Sequence, residues 1–394
     1  SVDPGRSILL RSQAYDVVDG TLSARGGSIT MQLYSTSVIA SVIGAPGRSI
    51  WLGADSVLDA SGIALIDPSA QALPSQGEPT RRQRTGVVLD GGSIALQSDR
   101  TLIAQRGAQL RLDGASDTFD VPVDGRRNGL VGTSYVSTPV WSDGGSLNLE
   151  AAIGLYFDGA ISAHGGALEA RGGRLSIGAH SPALSRNGVP PLILQQSGWL
   201  APTGDNPYLT AEPGASDQGN LRFVADRLTD SGLDDLILGN SFTFEDPVVQ
   251  TTSIVFAGDV DLHANRSIQL VSSVLAGAAD GARGLPVAGK GGSAGKVSIE
   301  APYVALIGKN LSAQPNAIAG TGEFSVDADF IDIGGRINLS GFADSSFRSA
   351  GDIRFSVDPS LAYPADKAVA GWLYTLCNLD FTGTRVYPAT DYRF

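Results

Sequence analysis

Apolar and polar residues alternate along this chain in runs of about four, and glycine, aspartate or serine separates the runs. One phrase recurs: a small or turn pair, then apolar, any, apolar. It reads Gly5-Arg6-Ser7-Ile8-Leu9-Leu10, then Gly26-Gly27-Ser28-Ile29-Thr30-Met31, then Gly47-Arg48-Ser49-Ile50-Trp51-Leu52. Ile8, Ile29 and Ile50 are 21 residues apart each time, and Ile94 of Gly91-Gly92-Ser93-Ile94-Ala95-Leu96 follows after 44. Later copies start at Gly144, Gly172, Asn265, Gly295, Gly334 and Gly351. A second phrase, apolar, any, Ala, any, Gly, falls between them: Leu22-Ser23-Ala24-Arg25-Gly26, Leu58-Asp59-Ala60-Ser61-Gly62 and Ile161-Ser162-Ala163-His164-Gly165.

Alternation with period two predicts strands, and a return of the same phrase near every 20 residues predicts one supersecondary unit per period. A single unit cannot bury its apolar side alone, so units must stack. The expected fold is all-β: a parallel, right-handed β-helix or β-solenoid with loop insertions. Its hand follows the usual crossover rule. The arithmetic suggests about 13–16 coils and a rod of roughly 60–80 Å. Glycine and asparagine are expected at corners with positive φ.

Composition supports the strand reading. The chain has 394 residues with 50 Gly, 33 Asp but only 7 Glu, and 24 Arg but only 4 Lys. Good helix formers are scarce and turn formers abundant. Hydrophobic residues make up 42%, ample for a core, against 17% charged. The net charge of −12 opposes binding to nucleic acid or to anionic membranes. No apolar run approaches the roughly 18 residues of a membrane span; the most apolar, Val38 to Ala45, is short. The lone Cys377 permits no intrachain disulfide and reads as a small buried hydrophobe. The chain starts at Ser1 without an initiator Met, as expected of a piece of something longer.

Two regions are expected. Residues 1–220 carry coils with long insertions near 67–86, 113–142 and 181–220; residues 221–394 continue the β-helix with more divergent coils. The first insertion holds Arg81, Arg82 and Arg84, the second Arg126, Arg127 and Trp141, and the third Trp199 and Tyr208. A fourth, Ala276 to Gly295, is glycine-rich and includes Lys290. Ligands, if bound, belong on such loops, since function concentrates on loops held by a rigid scaffold.

Parallel β-helices also host enzymes acting on polysaccharides, which need acids and a base on one outer face across consecutive coils. Asp259, Asp261 and His263 share one parity, with Val260 and Leu262 opposite. Asp327 and Asp329 share another, and Asp332 points away from them; adjacent Asp234 and Asp235 are split across two faces. The plain reading of each is the wet side of a strand, with the aspartates spread over turns. Trp141, Trp199 and Trp372 are the aromatics available for stacking on sugars. Gly289 to Lys296 lacks phosphate-loop spacing. No catalytic, metal-binding or cofactor-binding residue is assigned, and no cofactor is expected.

The glycine-pair repeat resembles the shaft repeat of the filamentous-haemagglutinin family of two-partner-secreted bacterial exoproteins. Three stretches sharpen the likeness: Ser231-Gly232-Leu233-Asp234-Asp235-Leu236-Ile237-Leu238, the run Val260 to Leu270, and Thr384-Arg385-Val386-Tyr387-Pro388-Ala389-Thr390. The resemblance covers nearly the whole chain. It implies an interior, non-catalytic segment of a secreted or outer-membrane-associated protein on a Gram-negative cell surface, with a role in adhesion, aggregation or biofilm. It implies export through an outer-membrane transporter of the two-partner type, and contact with host or bacterial surface glycans or proteins. The alternative is a β-helix that binds or cleaves polysaccharide.

Overall fold

Alternation places every second side chain of a strand on one side, and stacking such strands in parallel buries that side in an axial core. The computed structural model describes residues 1–34, 48–68, 83–127, 130–179, 190–204, 220–239, 253–283, 285, 294–308, 317–356 and 371–389, without the side chains of 124–134. Within them the chain winds as a parallel β-helix with three faces. Its one described helical element is the single 3-10 turn Ala225–Arg227.

The first face stacks eleven strands, from Ser7–Ser12 and Ser28–Leu33 at one end to Asp352–Ser356 and Arg385–Pro388 at the other. One apolar column runs its whole length, buried except at its two ends: Ile8, Ile29, Ile94, Leu147, Leu175, Leu236, Ile268, Val304, Ile331, Ile353, Val386. Eleven rungs at about 4.8 Å span roughly 50 Å, shorter than the sequence arithmetic suggests, because the insertions consume chain without adding rungs.

The second face starts with Tyr15–Val18, Ser49–Leu52, Thr101–Ala104 and Gly154–Phe157. Ile50 belongs here, paired with Asp16 and Leu102, and not above Ile29. The 21-residue spacing of Ile50 from Ile29 is therefore no period. The glycine-pair phrase opens strands on every face: Val297 lies on the third and Ile337 on the second. It encodes how a strand leaves a corner, not which face it joins. The second phrase is more faithful, since Leu22, Leu58, Leu110 and Ile161 form one column of the third face.

Corner glycines are required chiefly for space. A Cβ on Gly27 would lie 1.9 Å from the carbonyl oxygen of Arg6, and one on Gly92 would lie 1.9 Å from that of Gly27. Neither residue has positive φ, whereas Gly26 does, at 63°. The expectation of left-handed glycine corners thus holds at Gly5, Gly26, Gly107, Gly258 and Gly335, with no described asparagine at positive φ, but not along Gly27, Gly92 and Gly145, where successive rungs approach too closely for a side chain.

Among the described residues, coil order is offset over one stretch. Leaving the first face at Gly173–Ala179, the chain lays Leu192–Gln195 one rung ahead, against Ile254–Ala257. It then returns and inserts Asn220–Val224 between Leu192–Gln195 and Gly154–Phe157. First-face strands thereafter feed second-face strands one rung higher. The offset ends where Val274–Ala278 pairs directly with Asn338–Ser340, skipping a rung after Tyr303–Gly308.

Two insertions begin as antiparallel hairpins leaving the third face: Ile63–Ile66 with Gly86–Leu89, and Ser116–Arg127 with Leu130–Trp141. They are tied together. The Arg84 backbone N–H donates to Asp120 (2.7 Å), and its guanidinium donates to Asp117 (2.5 Å) and to the Thr118 carbonyl (3.1 Å). Arg81, Arg82, His180, Tyr208, Lys290 and the run Val38 to Ala45 lie outside the described residues.

The later coils fill their interior with phenylalanine. Phe324 lies 5.2 Å from Phe342 and 5.9 Å from Phe347, and Phe347 lies 5.1 Å from Phe381, centroid to centroid. The earlier coils are filled mainly by Ile and Leu, with Phe157 and Phe223 stacked 5.9 Å apart.

Candidate functional site

The outer side of the third face, in its later half, is a polar plate built from the alternate positions of five strands: Val260–His263, Lys296–Glu300, Gly322–Ala328, Phe342–Ser349 and Asn378–Thr382. Each strand sends Val, Leu, Ile or Phe inward at most alternate positions, so the remaining positions must face water. Asp261 and His263 are exposed while Val260 and Leu262 are buried.

Pairing register sets the plate in three columns. One runs Lys296, Glu323, Asp344, Asn378. The next runs Asp261, Ser298, Ser325, Ser346, Asp380. The third runs His263, Glu300, Asp327, Arg348, Thr382. The aspartates are therefore not merely scattered over turns: a histidine, two carboxylates and an arginine occupy one position on four consecutive rungs. This column was illegible in the sequence because its members are 37, 27 and 21 residues apart.

A groove lies at each edge of the plate. One, of about 680 Å³, is lined by Asp259, Lys296, Glu323 and Asp280. The other, of about 560 Å³, is lined by His263, Glu300, Asp327, Asp329 and Arg348. Asp259 accepts the backbone N–H of Lys296 at 2.8 Å, a turn role that ties two rungs. Acids outnumber the two bases Lys296 and Arg348 across the plate, so it disfavours polyanionic chains and admits neutral or cationic ones. Among the described residues no three His, Cys, Asp or Glu side chains are grouped to hold a metal ion.

The other candidate acids have structural partners. Asp332 lies on the first face, where it pairs with Arg354 and accepts from Ser356 at 2.8 Å. Asp234 and Asp235 are not split across faces. Arg174 aligns with Asp235 and Gly173 with Leu233, which leaves Asp234 as the extra residue of a β-bulge. Asp234 then accepts from the Gly172 backbone (2.6 Å) and Asn265 (2.9 Å), and Asp235 from Ser267 (2.6 Å) and Arg266 (3.3 Å).

The aromatics differ in availability. Trp141 ends its hairpin, 40% exposed. Trp372 is half-buried with the Arg336 guanidinium 4.2 Å from its ring centroid. Trp199 is 56% exposed, yet Arg106 and Arg227 lie 4.4 and 4.1 Å from its ring centroid. Trp199 sits on a strap laid over the outer second face, where Leu200 and Ala201 cover the buried cluster of Trp51, Ile103 and Tyr156. Cys377 is half-buried against the core, with its sulfur 2.9 Å from the Thr375 hydroxyl and 3.1 Å from that of Ser345.

Among the described residues no helix is long and apolar enough to cross a membrane. The chain matches no protein-family model, no curated protein and no solved structure.

Proposed function

We propose that this chain is a non-catalytic, adhesive shaft segment of a large secreted or surface-held bacterial exoprotein. The supporting observation is the unbroken column of paired apolar residues from Ile8 to Val386, buried from Ile29 to Ile353. Each rung is stabilised by its neighbours alone, which suits a scaffold whose length can vary and whose outer sides present contacts. The glycine-pair repeat and the three stretches resembling filamentous haemagglutinin point the same way. Export through an outer-membrane transporter of the two-partner type, and partners among surface glycans or proteins, belong to this proposal. The test is binding of the purified chain to a glycan array and to intact cells, with polysaccharide turnover followed in the same samples. Specific binding without turnover is expected. Absence of binding to both glycans and cells removes the adhesive role.

A second reading, polysaccharide cleavage, is favoured by the column His263, Glu300, Asp327, Arg348. Adjacent rungs are about 4.8 Å apart, near the roughly 5–5.5 Å between carboxyl groups in retaining glycosidases. Turnover of a neutral polysaccharide that disappears in Glu300→Gln would establish this reading over the first.

A further inference from the structure

The strap 196–204 is held more firmly than adhesion by Leu200 and Ala201 alone would require. The backbone N–H groups of Leu200 and Ala201 donate to Asp158 at 2.8 and 2.7 Å. Gln105 donates to the carbonyls of Pro202 and Gly204, both at 2.9 Å. Arg227 donates to the Gly198 carbonyl at 2.9 Å, and Gln196 donates to Asp226 at 2.7 Å. The result is an exposed indole on a fixed backbone, with two guanidinium groups against it.

Those two cations are not equivalent. Arg227 is compensated by Asp158, 3.5 Å away, whose side chain is almost fully enclosed. Arg106 is exposed in the corner turn that follows Thr101–Ala104, closed by the Ala108 N–H on the Gln105 carbonyl at 3.1 Å. Among the described residues its guanidinium has no hydrogen-bond acceptor; its contact is the Trp199 ring. A guanidinium lying over a ring uses its flat face and leaves its in-plane N–H fork unspent. Such a fork matches a carboxylate with two parallel hydrogen bonds. Contact with the Trp199 ring restricts the Arg106 guanidinium before any ligand arrives, which lowers the ordering cost of binding.

We propose that Arg106 on Trp199 is a binding site for the carboxylate of an acidic saccharide, the sugar ring resting against the exposed edge of the indole. The inference rests on the reading of the chain as a glycan-binding surface and names one ligand class for it. A net charge of −12 repels long polyanions at a distance. The site therefore takes a short acidic oligosaccharide through close contact and not through long-range steering. It differs from the simpler idea that Trp199 stacks on neutral sugars, since two guanidinium groups already lie against its ring.

The test is titration of the chain with trigalacturonate, with its methyl ester and with inorganic sulfate, read by calorimetry and by tryptophan emission. The free acid is expected to bind saturably and to perturb Trp199 emission, while the ester and sulfate bind at least about tenfold more weakly. Arg106→Gln and Trp199→Ala should each lose about tenfold or more for the free acid with unchanged far-ultraviolet dichroism. Equal binding of the ester, equal binding of sulfate, unchanged affinity in Arg106→Gln, or no binding of the free acid each overturns the proposal. If the chain still holds cells or other glycans in that event, the site is wrong and the adhesive reading stands.

Discussion

The carbonyl oxygen of Gly92 lies 2.1 Å from where a Cβ on Gly145 would have to go, one rung along the first-face corner. The same carbonyl accepts the N–H of Ser146 at 2.9 Å, so it cannot turn aside without breaking the ladder. Gly145→Ala should therefore destabilise the rod by about 1–3 kcal/mol, as overpacking against backbone does. Gly20→Ala is the control, because nothing lies within 4 Å of its added Cβ; it should change stability by no more than about 0.5 kcal/mol. Paired denaturant melts of the two variants check this.

Asp16 occupies the second-face position that Ile50 and Leu102 fill on the next two rungs. Its side chain is largely buried and its Oδ2 has no hydrogen-bond partner among the described residues. Burial raises its pKa above the ordinary carboxylate value of 3.8, against a smaller opposing effect of Ser12. The folded state thus holds the proton more tightly than the unfolded one. Stability from this group is present below the unfolded value and is lost as pH rises through the folded one. Asp16→Leu should stabilise the first coil at neutral pH by about 1–3 kcal/mol. The difference in melting temperature between variant and wild type should grow as pH rises from 3 to neutral, by about the amount the carboxylate costs. A difference independent of pH would contradict this account.

Asp158 accepts two strap N–H groups and faces Arg227, all from an enclosed position. Removing it leaves a cation and two donors without their acceptor. Asp158→Ala should cost about 3–5 kcal/mol. It should also release the strap, seen as a red shift of Trp199 emission that Trp199→Phe abolishes. A melt unchanged within error would show that water replaces the carboxylate.

The phenol of Tyr303 donates to Asp332 at 3.4 Å. Burial, then the Asp332 charge, pushes its pKa above the ordinary 10.0, while Arg354 pulls the other way. The neutral phenol is favoured in the folded state, so its contribution persists below pH 10 and is lost as pH rises through the folded value. In Asp332→Asn the phenolate should appear at lower pH than in wild type, followed by absorbance; Tyr303→Phe identifies the step.

Much of the fold was legible because alternation is local. Leu22, Leu58 and Ile161 announced a common column through a five-residue phrase, and they share one. Ile50 misled because an inward isoleucine after a glycine corner looks alike on every face. The plate was half legible: Asp261 and His263 showed a shared outer parity, but nothing local reveals that Glu300, Asp327 and Arg348 continue the His263 column. Trp199 was visible as an aromatic on an insertion; Arg106 and Arg227, 93 residues before it and 28 after, were not visible as its partners.

Period and side-chain size act within a few residues, and they already dictate a stack of short strands with apolar residues inside and glycine at tight corners. The number of rungs, the return of Asn220–Val224 behind Leu192–Gln195, and which side chains meet across rungs emerge only when the coils stack. Those depend on how much chain each insertion takes up between one rung and the next. In a parallel stack that quantity sets every long-range neighbour, and no local pattern encodes it.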